Sequence, residues 1–153
     1  MPLTFTPHIG DPTTTTADAL ILPIYAGEAV PQALDTRLNG QLVATLAATG
    51  FGGKPGDLAV ITTLGLMPAR WLILTGLGTR DGGDDERIRR GFGAAARHAS
   101  DPGASSLAVA LPEGLSAAAV SAAVEGIALA LYRFANYKSS AATAGKGVAS
   151  VEL

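Results

Sequence analysis

Two segments of the sequence are almost continuously apolar, ADALILPIYAG at 17–27 and RWLILTGL at 70–77. Runs of this length and density are typical of β-strands that are covered on both faces. A shorter run, SLAVALP at 106–112, has the same character. Helical patterns separate these runs, so the sequence predicts an α/β fold: a three-layer sandwich in which a mixed, mainly parallel sheet carries helices on both faces.

Three segments have the apolar spacing of helices. Residues 31–50 place a leucine at every fourth position between Pro31 and Gly50, with Gly40 as a mildly unfavourable interior residue. Residues 84–99 follow a glycine-rich turn. The segment from 116 to 138 carries the clearest pattern, with a second face of small residues suited to close packing against a sheet or another helix. The apolar positions of this last helix are Val120, Val124, Ile127, Leu131 and Phe134.

The remaining strands complete the expected order. LTFTPHI at 3–9 has the alternation of a strand, and DLAVITTL at 57–64 is joined to 70–77 by a short connection, which predicts antiparallel neighbours. No domain boundary is expected before residue 138. Residues 1–138 are predicted to form one domain, and residues 139–153, rich in small residues with a short strand-like ending, a linker.

Composition restricts the class of protein. The 153 residues suit one domain, and the absence of cysteine leaves no disulfide and no thiolate metal site, which fits a reducing compartment. The net charge is −2, from 11 basic and 13 acidic residues, so no general positive field favours nucleic acid. With neither a leader pattern nor an apolar span in the sequence, we expect a soluble cytoplasmic protein.

The turn after the second apolar run resembles a phosphate cradle. Gly76, Gly78, Thr79 and Arg80 follow a strand and precede a helix, the arrangement in which backbone N–H groups can face an anion. However, Asp81 stands where a dinucleotide fingerprint requires its third glycine, and no P-loop lysine follows. The alternative is that the glycines turn the chain from strand to helix and that DGGDD caps the helix.

The charged residues of this region have two interpretations each. Arg87, Arg89, Arg90 and Arg97 form either a solvated helix face, which we favour, or a stripe that binds phosphate or nucleic acid. The acidic residues are expected to cap the helix rather than to hold an ion. They are Asp81, Asp84, Asp85 and Glu86.

Other candidates for chemistry are few. His8 lies in the first strand and His98 at a helix end, and neither has a second ligand at metal spacing. Glu28 stands alone, and Glu125 is expected on the solvated flank of its helix rather than as a buried acid. No nucleophile elbow is present. We therefore assign no catalytic, metal or cofactor-binding residue, apart from the phosphate-loop alternative.

Several motifs occur together in one order. They are the F-x-G-K-x-G-D turn at 51–57, the GLG at 76–78, and the EG-x-x-LA-x-Y-x-F-x-x-YK helix ending at 125–138. In this order the sequence, from about residue 17 to 140, resembles the N-terminal domain of the M17 leucyl aminopeptidases.

The resemblance implies a macro-domain-like fold and a role as a non-catalytic assembly or regulatory domain. It places the two-metal active site, with Mn or Zn, in a separate C-terminal domain whose NTDAEGRL-type motif is not in this sequence. The parent would be a cytoplasmic homo-oligomer, a hexamer in the family, and this chain its detached or truncated N-terminal domain. The alternative is a free-standing macro-like module that binds ADP-ribose or another phosphate ligand.

Overall fold

The strands form one mixed sheet. The computed structural model describes residues 3–80, 84–138 and 148–153, with no side-chain detail for 133–138. The strands in this part of the chain are β1 (Thr4–Thr6), β2 (Ala19–Tyr25), β3 (Leu58–Thr62), β4 (Trp71–Gly78), β5 (Ser106–Val109) and β6 (Ser150–Glu152), and the helices are α1 (Gln32–Arg37), α2 (Gln41–Thr49), α3 (Asp85–Ser100) and α4 (Ala117–Lys138). The strand order is β1-β6-β5-β2-β4-β3, and every neighbouring pair is parallel except β3 and β4.

The apolar run of β2 is buried on both faces, as its sequence predicts. Ala19 and Ile21 belong to the core beneath α3 and α4, whereas Leu20 and Ile24 belong to the core beneath α1 and α2. Alternate side chains of a strand point to opposite faces, so a strand covered on both sides is apolar at both odd and even positions. The three-layer prediction is confirmed.

The single helix predicted over residues 31–50 is wrong in one respect, because it is two helices. The break lies at Asn39 and Gly40, whose φ angles are 56° and 76°. Four-residue steps drift by about 40° each on a helix of 3.6 residues per turn. A straight helix would therefore rotate Leu46 about 120° away from Leu34, whereas the bend keeps both leucines in the core.

The β3–β4 hairpin is antiparallel, as predicted. Its register pairs Leu58 with Thr75 and Thr62 with Trp71, without a bulge. This places β3 at the outer edge of the sheet and β4 beside β2.

The strand-like ending of the sequence forms a strand. Residues 150–152 are β6, which lies between β1 and β5, and Val151 is fully buried. Residues 139–147 lie outside the described residues, so the linker prediction there stays a prediction. Across the part of the chain that is described, no helix has the length and apolar character needed to cross a membrane.

Candidate functional site

The connections of the central strands create a crevice at one edge of the sheet. From β2 the chain passes to α1 and α2 on one face, whereas β4 and β5 are followed by α3 and α4 on the other. Ligands of open α/β sheets bind where such connections diverge, beyond the carboxyl ends of the strands. A cleft of about 400 Å³, which we call the carboxyl-edge cleft, lies there. Its lining includes Tyr25, Leu77, Arg80, Arg87, Glu113 and Ser116.

Arg80 is held by two neighbours at the mouth of the cleft. Its Nε donates to Oε1 of Glu28, its Nη2 donates to Oε2 at 3.0 Å, and its guanidinium lies 4.2 Å from the ring centre of Tyr25. The side-chain hydrogen bond between them lowers the pKa of Glu28 and raises that of Arg80. Both side chains are about half exposed, at 52% and 43%. The charge of Arg80 is therefore already matched by a carboxylate.

The backbone donors of the predicted phosphate loop are used inside the fold. The N–H of Gly76 donates to the carbonyl of Asp57 at 2.9 Å, and that of Gly78 donates to the carbonyl of Gly53 at 2.8 Å. Both glycines belong to β4, so Gly76 does not turn the chain. Gly78, at φ 76°, ends the strand in the left-handed region. Thr79 is exposed beside them.

Close contact with the loop at 51–57 explains why position 76 requires glycine. A Cβ at this position would lie 2.1 Å from the carbonyl oxygen of Lys54. The loop is held in place by Asp57, whose Oδ2 accepts the N–H groups of Gly52 and Lys54 at 2.9 and 3.1 Å. The F-x-G-K-x-G-D turn and the GLG motif therefore form one packed unit of backbone.

A carboxylate of the chain itself caps the first turn of α3. Oδ1 of Asp84 accepts the N–H of Arg87 at 2.7 Å, and Asp85 and Glu86 follow in the same turn. A helix N-terminus attracts phosphate through these same N–H groups, so the carboxylate occupies the favourable position. The predicted cap is confirmed for Asp84. Asp81 and the rest of DGGDD up to residue 83 lie outside the described residues.

Glutamates pair with two arginines of α3, Arg89 and Arg90. Glu86 accepts from Arg89 at 2.6 Å and from Arg90 at 2.9 Å, and these bonds lower the pKa of Glu86. Arg89 also donates to Glu125 of α4 at 3.0 Å. Arg97 is exposed in the last turn. Arg90 is exposed as well, whereas Arg87 and Arg89 are half-buried, so the choice between a solvated face and a phosphate-binding stripe stays a prediction; Glu125 lies on an exposed flank as expected.

Neither histidine lines the cleft. His8 follows β1 and is exposed, and Nδ1 of His98, at the end of α3, lies 3.9 Å from Oδ2 of Asp101. The clustered carboxylates Asp84 and Glu86 are engaged by N–H donors and arginines, so they do not fit a two-metal centre. The described residues contain no group of three or more His, Asp or Glu side chains able to hold a metal ion.

The cleft carries side chains of both charges. Arg80, Arg87, Asp85 and Glu113 line it together, and Glu28 pairs with Arg80. Oγ of Ser116 accepts the N–H of Ala119 at 3.1 Å and so serves as the cap of α4. Sequence reasoning missed the contact among Tyr25, Glu28 and Arg80, because nothing in the local pattern links residues 52 positions apart.

Known proteins resemble this chain in sequence and in fold. Residues 21–141 match the family model described as "Cytosol aminopeptidase family, N-terminal domain". The probable cytosol aminopeptidase of Alkaliphilus oremlandii is 31% identical over 145 residues, which cover 90% of this chain and 29% of that protein. The chain thus spans less than a third of the length of this relative.

Two solved structures illustrate the fold. A tomato leucine aminopeptidase mutant, K354E, superposes with a TM-score of 0.81 at 22% identity, over 99% of this chain and 32% of that one. A Trypanosoma brucei macrodomain in complex with ADP-ribose superposes with a TM-score of 0.66 at 17% identity, over 97% and 62% of the two chains. At these identities the likeness establishes the macro-like fold alone.

Proposed function

Because the chain belongs to the cytosol aminopeptidase family, as its N-terminal domain, we propose that it is a non-catalytic assembly or regulatory domain. The full-length parent would be a metal-dependent leucyl aminopeptidase that cleaves N-terminal residues from peptides. The observation that carries the proposal is the match of residues 21–141 to the N-terminal domain of the family, in a chain whose alignment covers 29% of a relative. Two divalent metals, Mn or Zn, would belong to the catalytic portion of that parent, in a cytoplasmic homo-oligomer.

An activity assay tests the non-catalytic part of this proposal. The chain, incubated with leucine p-nitroanilide and Mn²⁺, should release no p-nitroaniline. The full-length Alkaliphilus oremlandii protein, assayed in the same buffer, serves as the positive control. Turnover by the 153-residue chain would overturn the proposal.

Removal of the corresponding domain from that full-length relative tests the assembly or regulatory part. The shortened protein should differ from the intact one in its sedimentation mass or in its kcat/KM for leucine p-nitroanilide. If both quantities are unchanged, the domain has neither role.

A second candidate function is the binding of ADP-ribose in the carboxyl-edge cleft. It is favoured by the superposition on a macrodomain in complex with ADP-ribose and by Arg87 in the lining of the cleft. The pairing of Arg80 with Glu28 weighs against it, since a carboxylate already engages this arginine of the cleft lining. Calorimetric titration decides the matter: heat that is lost in Arg87→Ala supports binding, and no heat at millimolar ADP-ribose excludes it.

A further inference from the structure

The outer edge of β3, which we call the free edge, lacks the usual protection of an edge strand. In the described part of the chain β3 pairs with β4 alone. Residues 58–69 carry no charge, and neither a proline nor a bulge interrupts the strand. Natural edge strands usually carry such features, because unpaired N–H and C=O groups otherwise recruit another strand.

The hydrogen bonds to β4 show which groups of β3 point outward. The carbonyl of Asp57 accepts from Gly76, and the N–H of Thr63 donates to Arg70. The backbone N–H and C=O groups of the odd-numbered residues therefore face β4. Because the groups of an antiparallel strand alternate in direction, the N–H and C=O groups of Leu58, Val60 and Thr62 face the free edge.

Apolar side chains are exposed along the same hairpin. Val60 is 44% exposed in the middle of β3, and Leu64 and Leu66 in the connection to β4 are 84% and 41% exposed. Apolar residues grouped on one surface mark protein interaction sites more often than isolated ones do.

We propose that the free edge pairs with the free edge of a second copy of this chain, antiparallel about a two-fold axis at Val60. In this register Val60 opposes Val60, and Leu58 of one copy opposes Thr62 of the other. Each outward N–H and C=O of the three residues then has a partner, so the register agrees with the observed alternation. The two six-stranded sheets join into one continuous sheet.

The absence of charge selects a second copy as the occupant. A two-fold axis brings each residue of the strand close to its own counterpart, so a charged residue there would face a like charge and weaken the pairing. The uncharged stretch at 58–69 meets this condition. An edge built for a different, charged partner would instead carry complementary charges.

The pairing gives the proposed assembly role a specific surface and is tested separately from it. A chain that is monomeric and inactive would overturn the strand pairing and leave the non-catalytic assignment standing. A dimeric chain that cleaves leucine p-nitroanilide would overturn the non-catalytic assignment and leave the strand pairing standing.

Sedimentation equilibrium of the 153-residue chain, from micromolar to several hundred micromolar, should give the mass of a dimer at the upper end. Val60→Lys and Val60→Asp, each alone, should remain monomeric with unchanged far-UV circular dichroism, because like charges then meet on the axis. Mixing the two variants should restore the dimer. Val43→Lys, at a 50% exposed valine on α2, is the matched control and should dimerise normally.

A wild-type chain that stays monomeric throughout this range overturns the proposal. So does a dimer that survives Val60→Lys, and a mixture of the two charged variants that stays monomeric overturns the two-fold register.

Cross-linking provides a readout that does not depend on a charged variant folding. The chain has no cysteine, so Val60→Cys introduces a single thiol. Directly opposed residues of a hydrogen-bonded antiparallel pair have Cα atoms about 5.5 Å apart, within disulfide reach. Under mild oxidation Val60→Cys should form the disulfide dimer at least tenfold faster than Val43→Cys. Equal rates would overturn the pairing.

Discussion

At the scale of single residues, the glycines after the second apolar run have a packing role. Gly76 lies inside β4 with its N–H bonded to Asp57, and the carbonyl of Lys54 occupies the space of a side chain. A short-range pattern of glycines is the same whether the backbone approaches a phosphate or another backbone segment. The contact that distinguishes the two cases comes from a loop about 20 residues earlier in the chain.

Gly76→Ala should therefore lower the free energy of unfolding by about 2 to 3 kcal/mol, because the new Cβ would overlap backbone that cannot move independently. Urea denaturation at neutral pH measures the change. Gly52→Ala is the matched control, since a Cβ there has only Asp57 Oδ2 at 3.9 Å within reach. Equal stability of the two variants would contradict the packing role.

At the scale of elements, α3 and α4 approach each other through glycine. A Cβ at Gly126 of α4 would lie 2.1 Å from the carbonyl oxygen of Arg89 in α3, and one at Gly93 would lie 2.9 Å from the carbonyl oxygen of Gly126. The small face of α4 predicted from the sequence is confirmed. Its partner could not be inferred, because a small face suits a sheet as well as a helix.

Gly126→Ala distinguishes helix propensity from helix packing. Propensity alone would stabilise the protein by about 1 kcal/mol. The contact with Arg89 should reverse the sign and destabilise it by about 2 kcal/mol or more. Thermal and urea unfolding followed by circular dichroism report the sign. Ser121→Ala, at an exposed position of the same helix, is the control and should change stability by less than about 0.5 kcal/mol.

Asp18 couples the beginnings of β2 and β5. Its Oδ2 accepts the N–H and Oγ–H of Ser105 at 2.8 and 2.6 Å, and its own N–H donates to Oγ of Ser106 at 3.0 Å. The hydrogen bonds from Ser105 lower the pKa of the Asp18 carboxyl. Two neighbouring parallel strands far apart in sequence are thereby joined at their amino ends.

This coupling should make stability depend on pH. Because the folded pKa of Asp18 lies below the unfolded value, its contribution is complete above about pH 5 and is lost as the pH falls through the folded pKa. Asp18→Asn should cost about 1 kcal/mol at pH 7, allowing for partial solvent screening, and less at pH 3. Urea unfolding at both pH values measures the difference in free energy of unfolding between the wild type and Asp18→Asn. In a Ser105→Ala background the effect of Asp18→Asn on the free energy of unfolding should be smaller. An effect of equal size at both pH values would contradict the assignment.

At the scale of the whole molecule, the last strand completes the sheet. β6 is the described neighbour of β1 and lies between it and β5. Its three residues carry little local information, since a strand of this length gains its stability from the two strands beside it. Residues 150–152 are therefore part of the sheet.

Deleting residues 148–153 should leave β1 without its neighbour and expose Leu107 and Phe5 beside the missing Val151. We expect a broad, weakly cooperative thermal transition and increased binding of a hydrophobic dye. Ser150→Ala keeps the strand and should retain the wild-type transition. A deletion variant that unfolds with the wild-type midpoint would show that β6 is dispensable.

Local pattern alone determined the three-layer α/β class, the places of β2 and β4, the β3–β4 hairpin, and the helices α3 and α4. Periodicity and dense apolar runs record which faces of each element are buried, and this information is local. Only the tertiary structure decided the break at Asn39 and Gly40, the seating of the 51–57 loop on Gly76, the Glu28–Arg80 pair and the insertion of β6. Each of these depends on which distant segments meet, and the free energy of such contacts belongs to pairs of segments rather than to either segment alone.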